Sequence, residues 1–77
     1  MRYFFDILSD RLETVDEEGC DLQNDAEMRK EAIRLLARLV SDEAPYGNLP
    51  ELTARVRDIS GRQVYRAVLS IEGQCLQ

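Results

Sequence analysis

"RYFFDIL", residues 2–8, places Tyr3, Phe5 and Ile7 on one side of an extended chain and Arg2, Phe4, Asp6 and Leu8 on the other. Period-two alternation in aromatic and β-branched residues specifies a strand, and apolar side chains on both sides predict that it is well buried. Ser9 and Asp10 then give a turn signal, and "RLETV", residues 11–15, reads as a second short strand, so residues 2–15 form a hairpin.

Beyond this hairpin the period changes to 3.6. Met28, Ala32, Leu35, Leu36, Leu39 and Val40 fall on one helical face, while Glu27, Lys30, Glu31, Arg34, Arg38 and Ser41 fall on the other. Asn24 is placed to cap the first turn, with Glu27 three residues later in the capping-box position. The helix is expected over residues 25–43, stopped by "APYGNLP", residues 44–50, in which Pro45 and Gly47 disfavour continuation.

A second hairpin closes the chain. "LTARV" puts Leu52, Ala54 and Val56 on one face, and "VYRAVLSI" does the same with Tyr65, Ala67, Leu69 and Ile71. The expected fold is therefore α+β, with order β-β-α-β-β and one helix across a four-stranded, mostly antiparallel sheet. Its core is expected to unite Tyr3, Phe5 and Ile7, the helix stripe, Val56, Tyr65, Leu69 and Ile71.

The stretch "DEEGCDLQND", residues 16–25, holds five carboxylates and a cysteine, which raises the question of a metal site. Comparison with the second hairpin answers it: "VDEEGC" and "RDISGR" both contain D-x-x-G. In each, the Asp side chain can accept backbone N–H bonds and the Gly can take the left-handed conformation that closes a turn. An EF-hand-like loop with Gly19 at its sixth position needs a first ligand where Thr14 stands and a bidentate Glu where Asp25 stands, and zinc calls for Cys and His together in a chain that has no histidine. No metal or cofactor site is expected, and the stretch is read as a turn leading into the helix.

Taken together, "RYFFDI", "DEEGCDL", "EAIRLLARL" and "VRDISGRQVYR" resemble a family of small uncharacterised bacterial proteins classed as a domain of unknown function. The resemblance covers nearly the whole chain. Gln23 stands where that family often has Pro. The resemblance implies a fold and a bacterial source, and it brings no catalytic residues.

Seventy-seven residues support one domain and no large substrate cavity. The apolar run at the N-terminus is interrupted by Asp6, and no segment reaches the length needed to cross a bilayer. With two cysteines, Cys20 and Cys75, far from any paired spacing, a reducing cytoplasm is the expected compartment. Net charge is −5, but residues 1–28 hold nine acids and two arginines while residues 29–77 hold six acids and eight bases. Nine of the ten bases are arginine, which favours planar, bidentate contacts.

Catalysis is not expected. Without histidine, Cys20 is the one tempting nucleophile, and it is flanked by acids rather than by an activating base. The sheet face opposite the helix is the more informative surface. It should present Phe4, Leu8, Val64 and Val68 beside Arg2, Arg55, Arg57 and Arg66. Apolar residues on an uncovered sheet face mark a protein interface, so the expected function is a small protein-interaction module, most simply a homodimer whose arginines pair with acids such as Asp6 across a twofold axis. The alternative is a weak nucleic-acid-binding accessory protein using the same arginines, for which the face offers a single stacking aromatic, Phe4.

Overall fold

The computed structural model describes residues 1–10, 13–43, 51–71, 73, 75 and 76. The helix-stopping segment 44–50, and Arg11 and Leu12 at the start of the expected second strand, lie outside the described residues.

The first strand, β1 (Arg2–Leu8), occupies the middle of the sheet because both its edges are engaged. On one edge it pairs antiparallel with β4 (Leu52–Arg57) over five residues, from Phe4 opposite Arg57 to Leu8 opposite Thr53. The chain from Glu13 to Leu22 runs back along the other edge. It ladders twice, as β2 (Glu13–Thr14) against Leu8 and Ile7 and as β3 (Cys20–Asp21) against Tyr3 and Arg2. The backbone of Leu22 then exchanges bonds of 2.8 and 3.0 Å with Met1. Five residues lie between Thr14 and Cys20 where three lie between Tyr3 and Ile7, so the acidic segment must loop out between its two ladders. With β5 (Gln63–Leu69) antiparallel to β4, the path is β2-β1-β4-β5, and β3 is the fifth strand. The four expected strands are present. β3 was not legible as a strand, since two residues of an acidic turn carry no periodicity.

Helix α1 (Asp25–Glu43) packs chiefly on β4 and β5. Its start is fixed twice: the Glu27 N–H donates to Asn24 Oδ1 at 2.9 Å, and the Tyr3 hydroxyl donates to Asp25 Oδ1 at 3.1 Å. On its outer face Glu31 pairs with Arg34 and Glu27 with Lys30, at 2.8 and 3.9 Å, an arrangement worth a few tenths of a kcal/mol per pair.

Tyr3, Phe5, Met28, Ala32, Leu36, Leu52, Ala54, Val56 and Ala67 are buried, with Ile7, Leu35, Leu39, Val40, Tyr65 and Leu69 packed half-buried around them. Ile71 does not join them and is 42% exposed. Leu69 lies opposite Leu52, the first residue of β4, and among the described residues no strand stands opposite Ile71.

The β4–β5 turn follows its sequence signature. Gly61 N–H donates to the Asp58 carbonyl at 3.0 Å, Asp58 N–H donates to the Arg62 carbonyl at 2.9 Å, and Gly61 takes φ +88°. The Asp58 carboxylate accepts from the Ser60 hydroxyl at 2.6 Å and from the Ser60 and Arg62 amides.

Leu36, 1% exposed, is the largest fully buried side chain of the helix. Leu36→Ala is expected to lower stability by about 2–5 kcal/mol, measured by urea denaturation. A loss below about 1 kcal/mol would show that the helix does not pack on the sheet through this face.

Candidate functional site

On the face away from α1, β-pairing lines up side chains in rows across the sheet. Leu8, Thr53 and Val68 make one row, Asp6, Arg55 and Arg66 the next, and Phe4 lies opposite Arg57. Glu13 and Asp21 extend the face at the β2 and β3 edge, opposite Leu8 and Arg2. Of the seven residues expected to form a partner surface, Phe4, Leu8, Arg55, Arg57, Arg66 and Val68 share this face and divide sharply in exposure, while Val64 falls at a register shift, where Arg57 pairs with Gln63, and lines a cleft with Tyr3 and Met28.

At the centre stands Asp6, a charged residue only 1% exposed. Arg57 donates to it twice, Nε to Oδ2 at 2.8 Å and Nη2 to Oδ1 at 3.0 Å, in the planar two-pronged geometry that favours arginine over lysine. The Asp16 N–H adds a third bond to Oδ1 at 3.0 Å, and Arg55 Nη2 lies 3.6 Å from Oδ2. Arg57 Nη2 also donates to the Asp16 carbonyl at 2.9 Å, and its guanidinium lies 5.2 Å from the centroid of the Phe4 ring, within cation–π range. Arg55 completes the set by donating to Glu13 Oε1 at 3.0 Å. The acid expected to pair across a dimer axis is thus neutralised within its own chain, and Phe4 is half-buried under Arg57 rather than open.

The acidic loop is held by the same group of residues. Asp16 Oδ2 accepts the Phe5 N–H at 3.0 Å, supplying from a side chain the bond that a continuous strand would have given β1. Asp16 Oδ1 accepts the amides of Glu18 and Gly19 at 3.1 and 3.0 Å, and Arg2 reaches the Glu18 carbonyl and the Asp21 carboxylate. Gly19, at φ +77°, sits so close that a Cβ there would lie 2.9 Å from Phe4 Cε2 and 3.0 Å from the Tyr3 carbonyl. Among the described residues no group of three or more His, Cys, Asp or Glu is placed to hold a metal ion. The carboxylate of Asp16 is directed at backbone amides.

On the helix side of the sheet, an open cleft of about 550 Å³ lies between α1 and the returning segment. Its floor is Phe5, Ile7 and Leu35, and Cys20 shares its wall with Glu17, Glu18 and Glu31.

The model of the family described as a domain of unknown function (DUF6894) matches residues 2–70. The chain belongs to this family. That span includes every residue of the Asp6 network and the whole DUF6894 sheet. No curated protein matches the chain, and neither does any solved structure. No helix among the described residues is long and apolar enough to cross a membrane.

Sequence reasoning placed Arg55, Arg57 and Phe4 on the correct face but did not foresee that Asp6 gathers them. The available signal was an acid set between Phe5 and Ile7 in an otherwise apolar strand, together with arginines at alternate positions of another strand.

Two outcomes are expected. Hydrogen bonds from Arg57, opposed by burial and aided by the Asp16 amide, hold the Asp6 carboxyl below its ordinary value. Burial pushes Asp16 up, yet the amides of Phe5, Gly19 and Glu18 together outweigh it and leave this carboxyl lowered as well. Groups lowered by folding contribute stability that is fully present above the unfolded value, about 3.9, and is lost as pH falls through the folded value. The urea midpoint should therefore decline below pH ~4. The stability of Asp6→Ala should be lower at pH 7 by about 3 kcal/mol, the low end for breaking a buried pair because Arg57 keeps access to water, and the acid decline of its urea midpoint should be shallower. An unchanged pH profile in the variant would remove Asp6 from this role.

The glycines give the second outcome. Gly19→Ala and Gly61→Ala share the cost of a left-handed φ, about 1–2 kcal/mol, but Gly61 has nothing within 4 Å of the new methyl whereas Gly19 meets Phe4 and the β1 backbone. Thermal denaturation should show Gly19→Ala the more destabilised of the two, and equal losses would contradict the close approach of the loop to β1.

Proposed function

We propose that this chain is a non-catalytic protein-interaction module that docks a second copy of itself on the sheet face opposite α1. The observation that carries this reading is the exposure of Val68, 45%, on the β5 flank of that face, with Val64, 38% exposed, at the start of the same strand. The rest of the face supports it. Arg55 and Arg57 are compensated by Glu13 and Asp6, and Arg2 by Asp21, so of the arginines on two such faces Arg66 is the one whose like charge must be kept from its counterpart. The same pairing weighs against nucleic-acid binding, which draws its affinity from arginines free to neutralise phosphates.

Sedimentation over a concentration series tests the reading. The unmodified chain is expected to pass from monomer to dimer with rising concentration, and Val68→Arg, which adds a second guanidinium beside Arg66, should abolish the dimer while leaving the circular dichroism spectrum unchanged. A chain that stays monomeric throughout would end the self-docking proposal.

A further inference from the structure

The exposed apolar residue of the open face, Val68, stands on an edge strand. β5 ends the sheet path, and among the described residues no strand lies beyond it. The phase of its ladder follows from β1. Phe5 directs its N–H away from β4, toward Asp16, so Phe4, Asp6 and Leu8 bond β4 through Arg57, Arg55 and Thr53. Alternation leaves Val56, Ala54 and Leu52 to bond Tyr65, Ala67 and Leu69. Arg66 and Val68 therefore turn their N–H and C=O groups outward. Edge strands of this length are usually blunted by proline, lysine, a bulge or an inward charge, yet "QVYRAVL" carries one charge, Arg66, and neither proline nor lysine, and its register shift is confined to Gln63 and Val64, leaving Tyr65–Leu69 regular.

Resting on the self-docking reading above, we infer that the second copy is engaged by strand addition at this edge: β5 pairs antiparallel with the partner's β5 about a twofold axis at Ala67. Such pairing satisfies the outward backbone groups and continues the sheet through both copies. The side chains select the register. An axis at Ala67 places Arg66 opposite the partner's Val68 and Tyr65 opposite the partner's Leu69, joining half-buried apolar groups on the helix side, and sets two small residues at the centre. An axis at Arg66 would oppose two guanidinium groups directly, which is unfavourable.

Charge distribution favours the same edge. The acids of residues 13–21 line the far side of the sheet, on β2, β3 and the loop between them. Pairing through β5 leaves the two acidic edges seven strand spacings apart, about 34 Å at ~4.8 Å each, well beyond the Debye length of about 8 Å at physiological salt. Pairing through the β2 and β3 edge would press them together.

Amide hydrogen exchange followed residue by residue, on the unmodified chain at increasing concentration, tests the inference. The Arg66 and Val68 amides should slow by about tenfold or more as the dimer forms, and a mixed-isotope sample should show Tyr65 to Leu69 contacts between copies. Arg66→Pro removes an outward N–H at an edge position that tolerates proline and should hold the chain monomeric with its fold retained. If that variant fails to fold, exchange on the unmodified chain still decides the matter. Dimerisation with both amides still exchanging freely would overturn strand addition and leave face docking standing. A chain monomeric at every concentration would overturn both.

Discussion

The ion pair between Asp6 and Arg57 is where separate parts of this fold meet. Asp6 lies on the middle strand and Arg57 at the end of the neighbouring one, 51 residues on, while the third party, Asp16, lies in the loop covering the opposite edge of β1. A chain of this size buries too little apolar surface to fix every element by packing, and its helix covers one side of the sheet only. The uncovered side is organised by directed bonds instead. They are worthwhile only because the set is complete: among the described residues no buried side-chain nitrogen or oxygen is left without a partner, and a partly satisfied network at this position would be worse than an apolar one.

The same pair explains the shape of the acidic loop. A regular strand returning along β1 would leave Asp6 and Arg57 on a flat, solvated surface. Looping two residues out brings the Asp16 amide to Asp6, the Asp16 carbonyl to Arg57, and the Asp16 carboxylate to the Phe5 amide that the missing ladder exposes. Gly19 is required at the close of the loop by φ and by the absence of room for a side chain. The carboxylates that look like a metal cluster in one dimension thus divide in three: Asp16 holds the loop, Asp21 faces Arg2, and Asp25 receives the Tyr3 hydroxyl.

What was legible in the residues was whatever depends on local periodicity. The bounds of α1, its Asn24 cap, both faces of β1, β4 and β5, and the two D-x-x-G turns all follow from spacing and turn chemistry. Ile71 was misplaced because alternation continues in the sequence beyond the point where the partner strand begins. β3 and the Asp6 network were not foreseen for a related reason: they depend on register between distant segments, Phe4 with Arg57 and Tyr3 with Cys20, and no local pattern carries register. Asp6 could be assigned to the open face, but whether that face was bare or cross-braced depended on which residues stood opposite.

Cross-bracing also decides where an interface can form. Phe4 and Arg57 hold one another, Arg55 is shared between Asp6 and Glu13, and the loop around Gly19 closes over the β1 end of the face. Recruiting any of these to a partner would cost bonds that the monomer needs. Val64, Arg66 and Val68 are under no such demand: they are exposed and lie on the strand farthest from the network. The division of the face into a bonded half and an unbonded half is the reason the proposed docking is assigned to the β5 side, where main-chain groups and apolar side chains are available together.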